Sequence, residues 1–151
     1  MMFRRIILSV IASLPLVFSC SRPQSSEHFV RTENADESGA YRFTLDFPEG
    51  EVYDLDLYVN MDCGNLKFAQ FSGIGVSALW ESPEGEKYSE EVFIGREYLD
   101  AGSFYGKRVV APYREDLSMD PPGEWTLSLS MDKEAIETFG VTGIGIRATR
   151  K

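Results

Sequence analysis

The sequence predicts an all-β fold: an antiparallel β-sandwich of immunoglobulin-like or jelly-roll type with about seven or eight strands. Three observations predict it. Apolar and polar residues alternate with a period of two in several stretches, as they do in strands that bury one face. Turns rich in Gly and Pro separate these stretches at intervals of roughly 8 to 12 residues. Between successive stretches the sequence lacks a helix of crossover length, so parallel strands are not expected.

The first four strands follow from this alternation. Residues 40–47 alternate Tyr, Phe and Leu with Arg, Thr and Asp, and the turn at 48–50, Pro-Glu-Gly, ends the strand. The alternation resumes over residues 52–60. Apolar residues then mark strands over 74–80 and 88–94, and the Ser-Pro-Glu-Gly turn between them predicts a hairpin.

The remaining strands lie in the C-terminal half. Residues 103–110 are one candidate, residues 124–131 alternate Trp, Leu and Met with Thr and Ser, and residues 144–148 close the fold. Between the last two, residues 132–138 are predicted to form one short helical turn, with Asp132 as its N-cap.

The first 19 residues predict a signal peptide. Two Arg residues precede an apolar run over residues 6–18, which is shorter than the roughly 20 residues that a transmembrane helix needs. Residues 17–19, Val-Phe-Ser, followed by Cys20 resemble a bacterial lipobox, so Cys20 is predicted to become a lipidated N-terminus. The alternative is a plain secreted protein in which Cys20 forms a disulfide with Cys63. In the lipoprotein interpretation Cys63 lacks a partner in the chain and is predicted to be buried.

The mature chain is predicted to have two parts. Residues 20–39 form the lipidated Cys and a flexible tether, because they are polar and carry a single apolar pair, which is too little to offset the entropy of ordering. Residues 40–151 form the sandwich. Two or three acyl chains on the Cys hold such a protein on its membrane without a further membrane-binding surface.

The charge of the mature chain excludes nucleic acid as a partner. Removing residues 1–19 takes Arg4 and Arg5 from the 15 basic residues and none of the 24 acidic ones, which leaves 13 against 24, a formal charge of −11. Binding to a phosphate backbone depends on Lys and Arg that displace counterions, and an acidic domain would be repelled.

Catalytic and metal-binding patterns are missing from the sequence. The one histidine, His28, falls in the predicted tether, where nothing would position it as a base. One His, one free Cys and no CxxC motif do not predict a zinc site. Asp54 and Asp56 share a strand face about 7 Å apart, within the range of a glycosidase pair, yet a solvated acidic face explains them more simply. We predict a protein that is not an enzyme and has no cofactor, with a weak calcium site left open.

Aromatic residues are the first candidates for ligand binding, because sugar-binding sandwiches use them as stacking platforms. The period of their strands assigns Trp80 and Trp125 to the core. Tyr105 and Tyr113 lie in looser, loop-like sequence and are the predicted ligand contacts.

The closing strand, residues 142–149, is the second candidate. Its residues Gly143, Gly145 and Ile146 are predicted to lie at an exposed sheet edge, where an extended segment of a partner protein could pair with the backbone. The alternative is an interior strand whose glycines make room for the facing sheet.

The order of motifs from Tyr53 to Arg147 resembles one family, the GldH-like gliding-motility lipoproteins of the Bacteroidetes. The motifs are Tyr-Asp-Leu-Asp-Leu-Tyr-Val-Asn at 53–60, Asn-Leu at 65–66, Trp-Glu-Ser-Pro-Glu-Gly at 80–85, Ser-Phe-Tyr-Gly at 103–106, Pro-Gly-Glu-Trp-Thr-Leu at 122–127 and Val-Thr-Gly-Ile-Gly-Ile-Arg at 141–147. The resemblance implies an envelope lipoprotein associated with gliding or secretion machinery. It supplies no catalytic residues.

Two functions are therefore predicted. The first is a non-enzymatic accessory lipoprotein that binds other envelope proteins, and its rival is a surface glycan-binding module. Surface-exported lipoproteins of that phylum often carry an acidic run after the Cys, and residues 21–26 lack one. We therefore expect an outer-membrane lipoprotein on the periplasmic face.

Overall fold

The computed structural model describes residues 24–151, which form two antiparallel sheets packed face to face. It has nine strands where the sequence predicted seven or eight, and the predicted β-sandwich is confirmed. The strands are β1 (Ser25–Arg31), β2 (Tyr41–Phe47), β3 (Tyr53–Asp62), β4 (Gly73–Glu81), β5 (Lys87–Gly95), β6 (Leu99–Gly102), β7 (Gly106–Leu117), β8 (Gly123–Met131) and β9 (Val141–Arg150).

The sheets have five and four strands. The five-stranded sheet has the order β1-β9-β3-β7-β6, and the four-stranded sheet has the order β2-β8-β4-β5. Strand periodicity explains this packing, because the apolar positions of β2, β4 and β8 alternate with exposed or half-buried ones and all face the other sheet. Trp125, Leu127 and Leu129 are buried in this core as predicted.

Two short α-helices connect strands. Helix α1 (Asn65–Phe68) follows β3, and α2 (Lys133–Phe139) joins β8 to β9. The predicted cap of α2 is present, since the Asp132 carboxylate accepts a hydrogen bond from the Ala135 backbone N–H at 3.3 Å. Gly140 ends the helix with a φ of 61°, a left-handed conformation that favours glycine. Within residues 24–151, neither helix is long or apolar enough to span a membrane.

The prediction of a flexible tether over residues 20–39 is wrong for its larger part. Strand β1 lies inside that range and pairs with β9 along its full length, and a 3-10 helix, Thr32–Asn34, follows it. The apolar pair Phe29 and Val30 suffices because β1 adds to an existing sheet edge, where main-chain hydrogen bonds hold it. His28, expected to lack a fixed position, is an exposed residue of this strand.

The prediction that β9 is an edge strand is also wrong. Strand β9 lies between β1 and β3, and Ile146 is fully buried in the core. Gly143 and Gly145 face outward, and a Cβ on either would collide with an aromatic ring, Phe29 over Gly143 and Tyr58 over Gly145. The alternative of an interior strand is therefore correct, although the glycines make room for rings of the same sheet and not for the facing sheet.

Candidate functional site

The candidate site is a cavity of about 220 Å³ between the two sheets, at the end where β4 stops and β5 begins. We call it the aromatic pocket. Its lining consists of Trp80, Tyr88, Ser89, Glu90, Arg114, Leu117, Met119 and Trp125. Trp80 and Trp125 form its floor and are 7% and 4% exposed, whereas Tyr88 at its mouth is 52% exposed. The pocket is therefore apolar at depth and open at one side.

The floor follows from strand periodicity. Trp80 and Trp125 occupy inward positions of β4 and β8, and their rings meet edge to face at 6.3 Å between centroids. The Trp125 indole N–H donates to the Pro121 carbonyl at 2.9 Å. The Trp80 indole N–H donates to the Tyr113 hydroxyl at 2.8 Å. Both buried indole N–H groups have hydrogen-bond partners, so the floor offers an apolar ring surface to a ligand.

Charged groups form one side of the mouth. Glu90 on β5 accepts hydrogen bonds from the Tyr113 hydroxyl and from the Arg114 guanidinium, both on β7. The Tyr113 ring also stacks on Trp80, with an interplanar angle of 12°. Burial, followed by the hydrogen bond with Glu90, raises the pKa of Tyr113 well above 10.0. Tyr113 therefore stays a neutral donor that links the two sheets.

Comparisons of the chain with models of protein families, with curated proteins and with solved structures found no match. The resemblance to GldH-like lipoproteins stays a prediction.

The predicted ligand contacts Tyr105 and Tyr113 do not come together. Tyr113 lies in the C-terminal half of β7, behind the pocket floor, where it contacts Trp80 and Glu90. Tyr105 lies in the turn before β7, is 73% exposed, and meets Phe104 edge to face. About eight residues of extended strand, roughly 26 Å, separate the two tyrosines, so they cannot form one platform.

Several pocket residues were absent from the sequence prediction. Trp80 and Trp125 were assigned to the core, which is correct for their burial, and Glu90, Arg114 and Met119 were not singled out. One local signal was available: the turn after β4 fixes the hairpin register, and this register places Tyr88 opposite Trp80. The contact between β5 and Arg114 joins distant parts of the chain and has no local signal.

The paired carboxylates of β3 are engaged by basic residues. Asp56 accepts two hydrogen bonds from the Arg147 guanidinium, at 2.8 and 3.1 Å. Asp54 accepts from the Asp116 backbone N–H at 2.9 Å and lies 3.4 Å from the Lys151 ammonium. Residues 24–151 hold no group of three or more His, Cys, Asp or Glu side chains arranged to bind a metal ion.

Cys63 is buried and has no disulfide partner in the described part of the chain. Burial raises the pKa of its thiol. Its carbonyl accepts a hydrogen bond at 3.2 Å from the ammonium of Lys107, a buried lysine that also donates to the Ser103 carbonyl. Cys20, the predicted lipidation site, lies outside the described residues.

Proposed function

We propose that this chain is a non-enzymatic lipoprotein of the bacterial envelope that acts as an accessory subunit by binding another envelope protein. The signal peptide and the lipobox ending in Cys20 support the membrane anchor. The resemblance of the motif order to GldH-like lipoproteins supports a gliding or secretion assembly as its setting, at the periplasmic face of the outer membrane. The aromatic pocket supports the binding role.

The size and chemistry of the aromatic pocket carry this proposal. Sites for drug-sized molecules usually enclose about 300–1,000 Å³, and this pocket of about 220 Å³ is smaller. It suits one large apolar side chain that anchors a partner segment. Trp80 and Trp125 would desolvate that side chain, while Glu90 and Arg114 at the mouth offer hydrogen bonds to the polar backbone around it.

Strand β5 supplies a second element for the same partner. It is an edge strand, so one side of its backbone is unpaired, and its residues Tyr88 and Glu90 line the pocket. A partner segment that pairs with β5 places alternate side chains on the pocket side of the sheet, so backbone pairing and insertion of an anchor are compatible. Glu84, Glu86 and Glu91 lie on or beside this strand and favour a basic segment.

The anchor would hold this end of the sandwich near the membrane. The Gln24 carbonyl accepts a hydrogen bond from the Arg150 N–H, and Tyr53 pairs with both Arg150 and the pocket residue Leu117. Gln24 and the pocket therefore share one end of the five-stranded sheet. Five residues from Cys20 to Ser25 span at most about 18 Å, so lipidation of Cys20 would bring the pocket close to the bilayer surface.

Site-specific photocrosslinking in cells tests the binding role. With p-benzoylphenylalanine at Tyr88, ultraviolet light should produce one discrete protein adduct, and the same group at Leu66, which is 90% exposed at the other end of the sheet, should not. Met119→Trp fills the pocket and should remove the adduct, whereas Ser118→Trp on the neighbouring exposed position should keep it. An adduct that persists with Met119→Trp would contradict the pocket as the binding site.

Two further experiments test the anchor and its membrane face. Cys20→Ala should accumulate as unprocessed precursor without acyl label, and a Cys20→Ala protein that is still matured and held on the membrane would refute lipidation. Protease treatment of intact cells should leave the domain undigested if it faces the periplasm. Digestion would place the domain on the cell surface.

A further inference from the structure

A groove crosses the outer face of the five-stranded sheet, at the opposite end from the aromatic pocket. It consists of two cavities of about 480 and 580 Å³ that share Asn60 and Thr142 as lining residues. One continues towards Phe29 and Arg31 on β1, and the other towards Arg108 on β7. We call the combined cavity the outer-face groove.

The backbone opens the groove at Thr142. Asn60 on β3 pairs with Gly143 and the next residue pairs with Val141, so a register shift leaves Thr142 unpaired in the β3–β9 ladder. The Thr142 hydroxyl donates to the Asn60 carbonyl at 3.2 Å, which fixes this irregularity. Such bulges redirect side chains and occur often beside binding sites.

Two buried polar atoms in the groove lack partners. Among the side chains of residues 24–151, the buried polar atoms without a hydrogen-bond partner are Asn60 Oδ1 and Arg108 Nε. Asn60 and Arg108 stand directly opposite each other on β3 and β7. An acceptor and a donor of this kind are expensive to leave unpaired, and both line the same cavity. A ligand that pairs with both atoms must therefore offer a hydrogen-bond donor and a hydrogen-bond acceptor.

A hydroxyl group both donates and accepts, so its chemistry matches an unpaired acceptor such as Asn60 Oδ1 and an unpaired donor such as Arg108 Nε–H. A carboxylate or a phosphate would satisfy only the arginine, and an ammonium only the asparagine. The charge of Arg108 is also already compensated, since its guanidinium lies 3.3 Å from the Glu27 carboxylate and 4.2 Å from the centre of the Tyr58 ring. This arrangement favours a neutral ligand with hydroxyl groups over an anion.

An aromatic wall completes the groove. The Phe29 ring lies parallel to the Tyr58 ring at 5.9 Å between centroids, and Phe29 is 38% exposed, so part of its surface is open to a ligand. Apolar C–H faces of a sugar ring pack on such a surface, while its hydroxyls reach the polar floor. We propose that the outer-face groove binds a neutral oligosaccharide, at a site separate from the aromatic pocket and independent of the function proposed for it.

Titration calorimetry on the full chain, purified in detergent, tests this proposal with a panel of neutral hexasaccharides of glucose, mannose and N-acetylglucosamine in β- and α-linkage. At least one should bind, and a sulfated oligosaccharide of equal length should not. Asn60→Ala and Arg108→Lys should each weaken binding at least tenfold. Arg108→Lys retains the positive charge and removes Nε, so its loss of affinity separates the hydrogen bond from the charge.

Stability measurements distinguish a loss of binding from a loss of folding. Asn60→Ala removes a buried unpaired acceptor, so its melting temperature should equal or exceed that of the unmodified chain while its binding falls. Tyr88→Ala in the aromatic pocket serves as the matched control and should bind the hexasaccharide normally. The proposal is overturned if no hexasaccharide binds at 10 mM concentration, if Asn60→Ala binds as well as the unmodified chain, or if Tyr88→Ala removes the binding.

Discussion

On the outer face of the five-stranded sheet, the Tyr58 ring packs over Gly145, and adding one methyl group to this glycine tests that packing. A Cβ at Gly145 would overlap the Tyr58 ring. Tyr58 is only 3% exposed, because Phe29 stacks on one side of it and the Arg108 guanidinium lies 4.2 Å from its ring centre. The ring has little room to move aside, so Gly145→Ala should strain this cluster.

Two opposing terms set the expected size of the effect. Adding a methyl group to a closely packed site costs about 1–3 kcal/mol. Replacing a strand Gly by Ala without a clash stabilises by roughly 0.5–1 kcal/mol, because the unfolded chain loses freedom. The net loss for Gly145→Ala is therefore roughly 0.5–2 kcal/mol. At roughly 4 °C per kcal/mol for a domain of this size, the melting temperature should fall by about 2–8 °C.

Gly75→Ala is the matched control. Gly75 lies in strand β4, and a Cβ there would have no atom within 4 Å, so this variant should be neutral or more stable than the unmodified chain by up to about 1 kcal/mol. Thermal unfolding followed by circular dichroism measures both. In a Tyr58→Ala background the cost of Gly145→Ala should vanish. Equal melting temperatures for Gly145→Ala and Gly75→Ala would refute the argument that the aromatic ring requires the glycine.

Three other predictions concern single side chains. Asp132→Ala should cost about 1 kcal/mol in urea unfolding by removing the cap of α2, whereas Asp132→Asn should keep most of it; equal losses would contradict the cap. Because the pKa of Tyr113 is raised above 10.0, its contribution to stability is present below pH 10 and is lost as the pH rises further. Tyr113→Phe should reduce the loss of stability above pH 10, whereas Tyr105→Phe should not. A loss of stability that is unchanged in Tyr113→Phe would refute the assignment of this pH dependence to Tyr113. Cys63 should react with a thiol reagent only after unfolding, and a thiol absent even in denaturant would instead favour the disulfide with Cys20.

Strands with strict alternation were predictable from the sequence. The four buried positions of β2 and the Trp, Leu and Leu of β8 follow from a period of two, because one face of each strand meets the other sheet. Strand β1 was not predictable in this way. Six of its seven residues are exposed, and its order comes from pairing with β9, which is more than 100 residues away in the chain. The local composition of β1 therefore does not indicate that β9 pairs with it.

The error at β9 followed from the error at β1. If β1 is not placed in the sheet, the last strand is predicted to be an edge strand. The aromatic rings that require its glycines are then not predicted either. With β1 in place, Phe29 is brought over Gly143, and the glycines are explained by the rings that cover them. The aromatic pocket was not predicted for a related reason. Burial of Trp80 was readable from periodicity, but the approach of Glu90 to Arg114 depends on how the two sheets meet.

Strand β1 connects the anchor to both proposed sites. Its first residue, Ser25, fixes how far the chain beyond Cys20 can reach, and thereby the height of the aromatic pocket above a membrane. Its residue Phe29 forms the wall of the outer-face groove, and Glu27 holds the Arg108 guanidinium that lies in the groove floor. Six residue steps of about 3.3 Å each separate Ser25 from Arg31, so the far end of the groove stands roughly 20 Å farther from the anchor than the pocket does. The pocket would therefore meet partners near the bilayer, and the groove would meet ligands away from it.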